Sequence, residues 1–206
     1  MIISCIGQKG GGSKSTTART LAAGFTDAGW NTHLADIDEK QQTSMKWCKR
    51  REDAGLGTID CALYRRVETA VKVKDQYHLV IVDGRPAAET TSLDVALESD
   101  LVLISTGTSI DDLEPSLELV RELIKKGIDK EKIVFLISKS PSDSEGTKAQ
   151  ETVRAWGFHV LNTVIPFKTG YSVALDNGRA LYETPFKSLN NTAKSMIEEI
   201  HDIINS

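Results

Sequence analysis

The chain has 206 residues, 40% of them hydrophobic and 26% charged, with a formal net charge of −4. That size and apolar fraction suit one domain with a real core, and the mild acidity excludes a wholly basic nucleic-acid coat while leaving room for one basic face. Cys5, Cys48 and Cys61 contain no C-x-x-C pair, which excludes an iron–sulfur or structural zinc reading and fits a reducing cytoplasm. No run approaches the roughly 20 apolar residues of a membrane span, and the N-terminus opens as a strand rather than a signal peptide.

"MIISCIG" is an apolar run closed by glycine and predicts a buried strand. From Ser15 to Ala28 the apolar residues Ala18, Leu21, Ala22 and Phe25 recur at helical spacing, and Gly29 supplies the stop. "NTHLADID" predicts the next strand, and residues 41–53 a helix rich in Lys46, Lys49, Arg50 and Arg51. A short strand around Thr58–Ala62 and then a helix are expected within residues 54–76. "YHLVIVDGRP", "DLVLISTG" and "KIVFLISKS" predict three further buried strands, with a turn after the first and the helix "DLEPSLELVRELIKKG" after the second. Pro115 falls early in that helix, where its missing N–H costs little.

A linker at residues 140–146 leads to a helix ending at Trp156, a strand "FHVLNTVIP", an irregular segment with a helix over 167–182, and a final helix over 186–204. Strands that are apolar throughout and flanked by helices predict a three-layer α/β/α domain spanning 1–206 with a mostly parallel sheet. Trp47, Trp156, Phe135 and Phe158 are read as packing residues, and the four histidines have no metal-ligand spacing.

The segment "IGQKGGGSKSTTA" joins the first strand to the first helix. Successive backbone N–H groups in such a loop wrap a polyphosphate, and the helix N-terminus adds positive potential. Gly10, Gly11, Gly12, Ser13, Lys14, Ser15 and Thr16 are therefore candidate nucleotide-binding residues, in a P-loop NTPase fold. Lys14 would reach the β and γ phosphates and the Ser15 hydroxyl a Mg²⁺ ion. Gln8 and Ser13 stand where G-x-x-x-x-G-K-[ST] has glycines. At Ser13 a Cβ either crowds the phosphates or opposes an unusual backbone angle, or else its hydroxyl adds a donor. Asp83 ends an apolar strand, where a buried acid needs a partner such as a Mg²⁺-bound water. Asp36 and Asp38, two apart, fall on one side of an extended strand.

"KGGGSKSTTA" resembles the deviant phosphate loop K-G-G-x-G-K-[ST]-T of the ParA/MinD superfamily, from which only Ser13 departs. "ADID", "YHLVIVDGRPA", "DLVLISTGTSIDDLEPS" and "IPFKTGYSVALDNGRALYE" extend the resemblance over essentially the whole chain. In size the chain is most similar to the small plasmid and phage partition ATPases that lack an N-terminal helix-turn-helix domain. "DIDEKQQTS" lacks the proline of their "DxDPQ" box, with Gln42 and Ser44 as stand-ins for its polar positions.

The resemblance implies ATP and Mg²⁺ as cofactors and an ATP-sandwich homodimer, in which Lys9 crosses to the partner's phosphates. Asp38 would position the attacking water, and Asp36 would support the magnesium shell beside Ser15 and Asp83. The adenine pocket would be built from Ser138 of "ISKSPSD" and Pro166 and Phe167 of "IPFKTG". Hydrolysis would be slow without a partner. The implied function is DNA partition: nonspecific double-stranded DNA bound through Lys168, Arg179, Lys187 and Lys194 or through the 41–53 helix, and released by a centromere-binding ParB-type adaptor. The protein would then be cytoplasmic and nucleoid-associated. Positioning of another cargo, or a small P-loop kinase or dethiobiotin-synthetase-like enzyme, stays open. The acidic "AKSMIEEIHDIINS" terminus argues against membrane binding, because Glu198, Glu199 and Asp202 repel anionic lipid.

Overall fold

The computed structural model describes residues 1–7, 13–86 and 90–206. Gln8, Lys9, Gly10, Gly11 and Gly12 lie outside the described residues, as do 87–89. The strands are β1 (Ile2–Gly7), β2 (Thr32–Asp36), β3 (Asp60–Leu63), β4 (Leu79–Pro86), β5 (Leu101–Thr106), β6 (Ile133–Ser140), β7 (His159–Val160) and β8 (Ile165–Pro166). The helices are α1 (Lys14–Asp27), α2 (Thr43–Asp53), α3 (Val67–Lys72), α4 (Thr90–Leu97), α5 (Ile110–Lys125), α6 (Asp143–Ala155), α7 (Thr169–Asp176) and α8 (Lys187–Ile204).

Every strand pair is parallel, in the order β3-β2-β4-β1-β5-β6-β7, with β8 also pairing β6. A parallel sheet needs cover on both faces, and alternate strand residues supply it. Ile3, Cys5, Leu34 and Ile81 join a core with α1, α2, α7 and α8, which includes Phe25, Trp47, Tyr171 and Met196. Val102, Ile104 and Phe135 pack against α5 and α6, and Ile2, Ala35, Val80 and Val82 against α3 and α4. The fold is thus the expected three-layer α/β/α arrangement of P-loop NTPases. The chain moves outward from β1 to β2 and β3, returns through β4, and crosses over β1 to β5. Ligands of such sheets collect at this switch point, beyond the strand carboxyl ends.

The sequence reading and the structure differ at several elements, and α6 already begins at Asp143, inside the expected linker. The loop before β5 contains helix α4, where only a turn was expected; its Val95 and Ala96 are buried between the two cores of that face. "FHVLNTVIP" divides into β7 and β8, because side chains take its middle backbone groups. Gln150 Nε2 donates to the Leu161 and Asn162 carbonyls at 2.7 and 2.9 Å, and the Asn162 and Thr163 N–H groups donate to Glu199 at 2.6 and 2.7 Å. Helix α5 begins at Ile110, so Pro115 stands past the first turn and removes the bond to the Asp111 carbonyl.

Candidate functional site

The first strand ends at Gly7, in the interior of the sheet between β4 and β5. A Cβ on Gly7 would lie 3.2 Å from the Ser105 carbonyl and 3.5 Å from the Lys14 stem, so a small residue lets that stem pass close to the strand. Lys14 opens α1 and is only 5% exposed. Burial pulls its pKa down, while Asp83 and then Asp38 push it back up. Ser13 adopts φ 68° and ψ 4°, the left-handed conformation, and caps the helix by backbone alone. Its Cβ therefore does oppose an unusual backbone angle. The Thr17 hydroxyl bonds the Ser105 hydroxyl at 3.2 Å and ties the start of α1 to β5.

The acids meet at the ends of β2 and β4, where Asp36 is the register partner of Asp83. Asp83 is buried; its Oδ2 accepts the Ser44 hydroxyl proton at 2.6 Å, and its Oδ1 has no hydrogen-bond partner among the described residues. Burial first, and then the Asp36 charge, push the carboxyl up to about 6, against the lowering effect of Ser44, Arg19 and Ser15. Asp36 Oδ1 accepts the Asp38 N–H at 3.0 Å, and its Oδ2 accepts the Ser44 and Met45 N–H groups at 2.9 and 3.1 Å. It thus satisfies the orphan donors at the start of α2 from outside the helix.

The strand ends at Asp36, so Asp36 and Asp38 do not share a strand face as expected. Asp38 lies in the following turn, with Oδ1 accepting from the Lys40 and Gln41 N–H groups at 3.1 and 3.0 Å. Its neighbour Glu39 is held between Arg65 at 2.9 Å and Arg85 at 3.4 Å, and Arg85 Nε donates to the Ile37 carbonyl at 2.5 Å. These contacts fix the turn that carries Asp38.

Arg19 escaped the sequence reading. It is buried, and its Nε donates to Ser44 Oγ at 3.2 Å, making an Arg19–Ser44–Asp83 chain. Burial lowers its pKa and Asp83 raises it. Its spacing gave a usable signal: Arg19 follows Ser15 by four residues, so both lie on one face of α1.

An open cleft adjoins the start of α1. Ser13, Thr16, Ser138, Pro166 and Phe167 line it, together with Tyr171 and Leu181. The structure thus brings the two segments named from the sequence together beside the start of α1. Lys139 bulges between Ser138 and Ser140 with φ 57°, turning the end of β6 into the cleft, and Phe167 is 64% exposed at its mouth.

Among the basic residues proposed for a nucleic-acid face, Lys168, Arg179, Lys187 and Lys194 are exposed, as are Lys46 and Lys49. Lys46 donates to the Gln41 carbonyl and Lys49 pairs with Asp53 and Glu52. Arg51 must be struck from that face. It is 2% exposed, makes a two-pronged bond to Glu183 at 2.7 and 3.0 Å, donates to the Gly57 and Gly178 carbonyls, and lies over Trp47. Among the described residues no helix is long and apolar enough to cross a membrane.

A parallel sheet, a glycine-rich loop leading to a buried lysine, and strand-end carboxylates define a P-loop NTPase. Residues 3–181 match the CobQ/CobB/MinD/ParA nucleotide binding domain family, and the chain belongs to it. Its fold is similar to that of the cell division ATPase MinD of Pyrococcus furiosus (TM-score 0.78, 18% identity, 98% of each chain covered). It is also similar to McdA of Cyanothece, in a D38A–ATP complex (0.74, 17%, covering 97% of this chain and 96% of that one). A plasmid partition protein from Borrelia burgdorferi is a third such structure (0.63, 17%, covering 96% and 98%). Comparison with curated proteins gave no match.

Proposed function

We propose that the chain is an ATP-driven positioning switch, which binds ATP with Mg²⁺, closes as a homodimer on the nucleotide, and hydrolyses it slowly to move a cargo presented by a partner protein. One observation carries the reading: the buried Asp83 carboxylate, with one oxygen lacking a partner among the described residues, faces the Lys14–Ser15 start of α1.

Mg²⁺ fits this donor set, because it prefers oxygen, keeps several waters and needs only one or two protein contacts. Ser15 and Asp83 would hold it, and its charge would neutralise the phosphoryl oxygens. Asp36 supports the site by holding Asp38 and Ser44 in place, since backbone donors take both of its oxygens. Lys14 binds the phosphates, Asp38 orients the attacking water, and Lys9 reaches the partner's nucleotide. Ser138, Pro166 and Phe167 enclose the adenine, with the exposed Phe167 ring as a stacking surface.

The similar folds include a cell division ATPase and a plasmid partition protein, so the fold suits cargo other than DNA at least as well as DNA. DNA partition with a ParB-type adaptor is the second reading, favoured by the exposed Lys168, Arg179, Lys187 and Lys194. Mg²⁺-dependent ATP turnover tests the switch: Lys14→Ala should abolish it, and wild-type protein without turnover under any condition would refute it. Retention on DNA with ADP, ATP and a nonhydrolysable analogue across a salt series separates the cargo classes.

A further inference from the structure

Three sulfur atoms converge between α2 and β3, outside the nucleotide site. Met45 and Cys48 are three residues apart on α2 and so share one face of the helix. Cys61 on β3 points its thiol at the Met45 thioether, with Sγ and Sδ 3.4 Å apart. Cys48 sits one turn along α2 from Met45, so its thiol neighbours Cys61 and acts electrostatically on it. Both are half-buried free thiols packed on the rim of the core that contains Trp47. Cys5, by contrast, is completely buried within β1.

We propose that Cys48 and Cys61 form an oxidisable dithiol that closes a disulfide between α2 and β3 when the protein meets hydrogen peroxide. The Cys48 thiolate attacks one peroxide oxygen; an S–O bond forms, the O–O bond breaks, and the departing hydroxide takes a proton and leaves as water. The Cys61 thiol then gives up its proton and attacks the sulfenic sulfur. The S–S bond forms, the S–O bond breaks, and hydroxide leaves with that proton as a second water. Two thiols have lost two electrons and two protons, and the peroxide has accepted both. The Cys61 thiol is engaged with the Met45 thioether, which leaves the first attack to Cys48. Cys48 lies one turn beyond Ser44, so the bond would tether the helix whose first turn holds Asp36 and Asp83.

The test treats the full chain with a small excess of hydrogen peroxide, then counts free thiols, weighs the intact protein and maps its peptides. Free thiols should fall from three to one, with a mass loss of about 2 Da, a mapped Cys48–Cys61 link, and full reversal by dithiothreitol. Cys61→Ser should form no link and leave a Cys48 sulfenic acid that dimedone traps. Wild-type chain that keeps all three thiols, or gains oxygen or intermolecular bonds without a Cys48–Cys61 link, overturns the proposal. The readout needs no nucleotide, so its failure is separate from failure of the ATPase reading.

Discussion

Ser13 holds a φ of 68°, in the region where a side chain costs about 1 kcal/mol and glycine little. Ser13→Gly is expected to stabilise the protein by about that amount, seen as a higher urea midpoint with an unchanged slope. Asp83 carries a second, larger tension, because burial raises its pKa from 3.8 to about 6. The folded chain therefore keeps a proton that the unfolded chain releases. Its stabilising effect is complete below pH 3.8 and is lost as the pH rises through about 6. Asp83→Asn should flatten that part of the stability profile and leave the nucleotide-free protein more stable above pH 6, by up to about 3 kcal/mol. The same variant should lose the stabilisation that Mg²⁺ and ATP give the wild type. Urea midpoints from pH 4 to 8, with and without nucleotide, check both outcomes.

Helix α2 illustrates how one element serves the site from both ends. Its first turn is held by Asp36 and Asp83, and further along Arg51 ties it to Glu183 and to the Gly178 turn beyond α7. Arg51→Ala would strand the Glu183 carboxylate and is expected to cost about 3–5 kcal/mol, whereas Lys187→Ala at an exposed position should leave the urea midpoint unmoved. The long apolar strands and α1, α5 and α8 were legible in the sequence because burial on both faces, or a 3.6-residue period, marks them directly. Helix α4 was not, since eight residues with little periodic contrast form a helix only because Val95 and Ala96 are buried against the sheet. The break between β7 and β8 depends on Gln150 and Glu199, which come from two other helices. No local pattern reports such contacts. Arg51 misled for the same reason: on a basic helix its partner lies 132 positions away.

At the scale of the molecule, the lysine at the start of α1 and the strand-end acids follow short spacings in the sequence, and the sheet brings Asp36 and Asp83 into register. Ser44 and Arg19, which connect α1, α2 and Asp83, were harder to read, because their roles arise only when those elements pack. If DNA is the cargo track, retention should require ATP or its analogue and fall steeply with salt. It should weaken when Lys168, Lys187 and Lys194 are neutralised together, and it should be absent in every nucleotide state if the cargo is different. The proposed switch has the chain close on its nucleotide with a second copy. Light scattering of the purified chain with Mg²⁺ and a nonhydrolysable ATP analogue should give twice the monomer mass, returning to the monomer mass with ADP and in a Lys14→Ala variant. A monomer mass in every nucleotide state, with nucleotide bound, would contradict the switch.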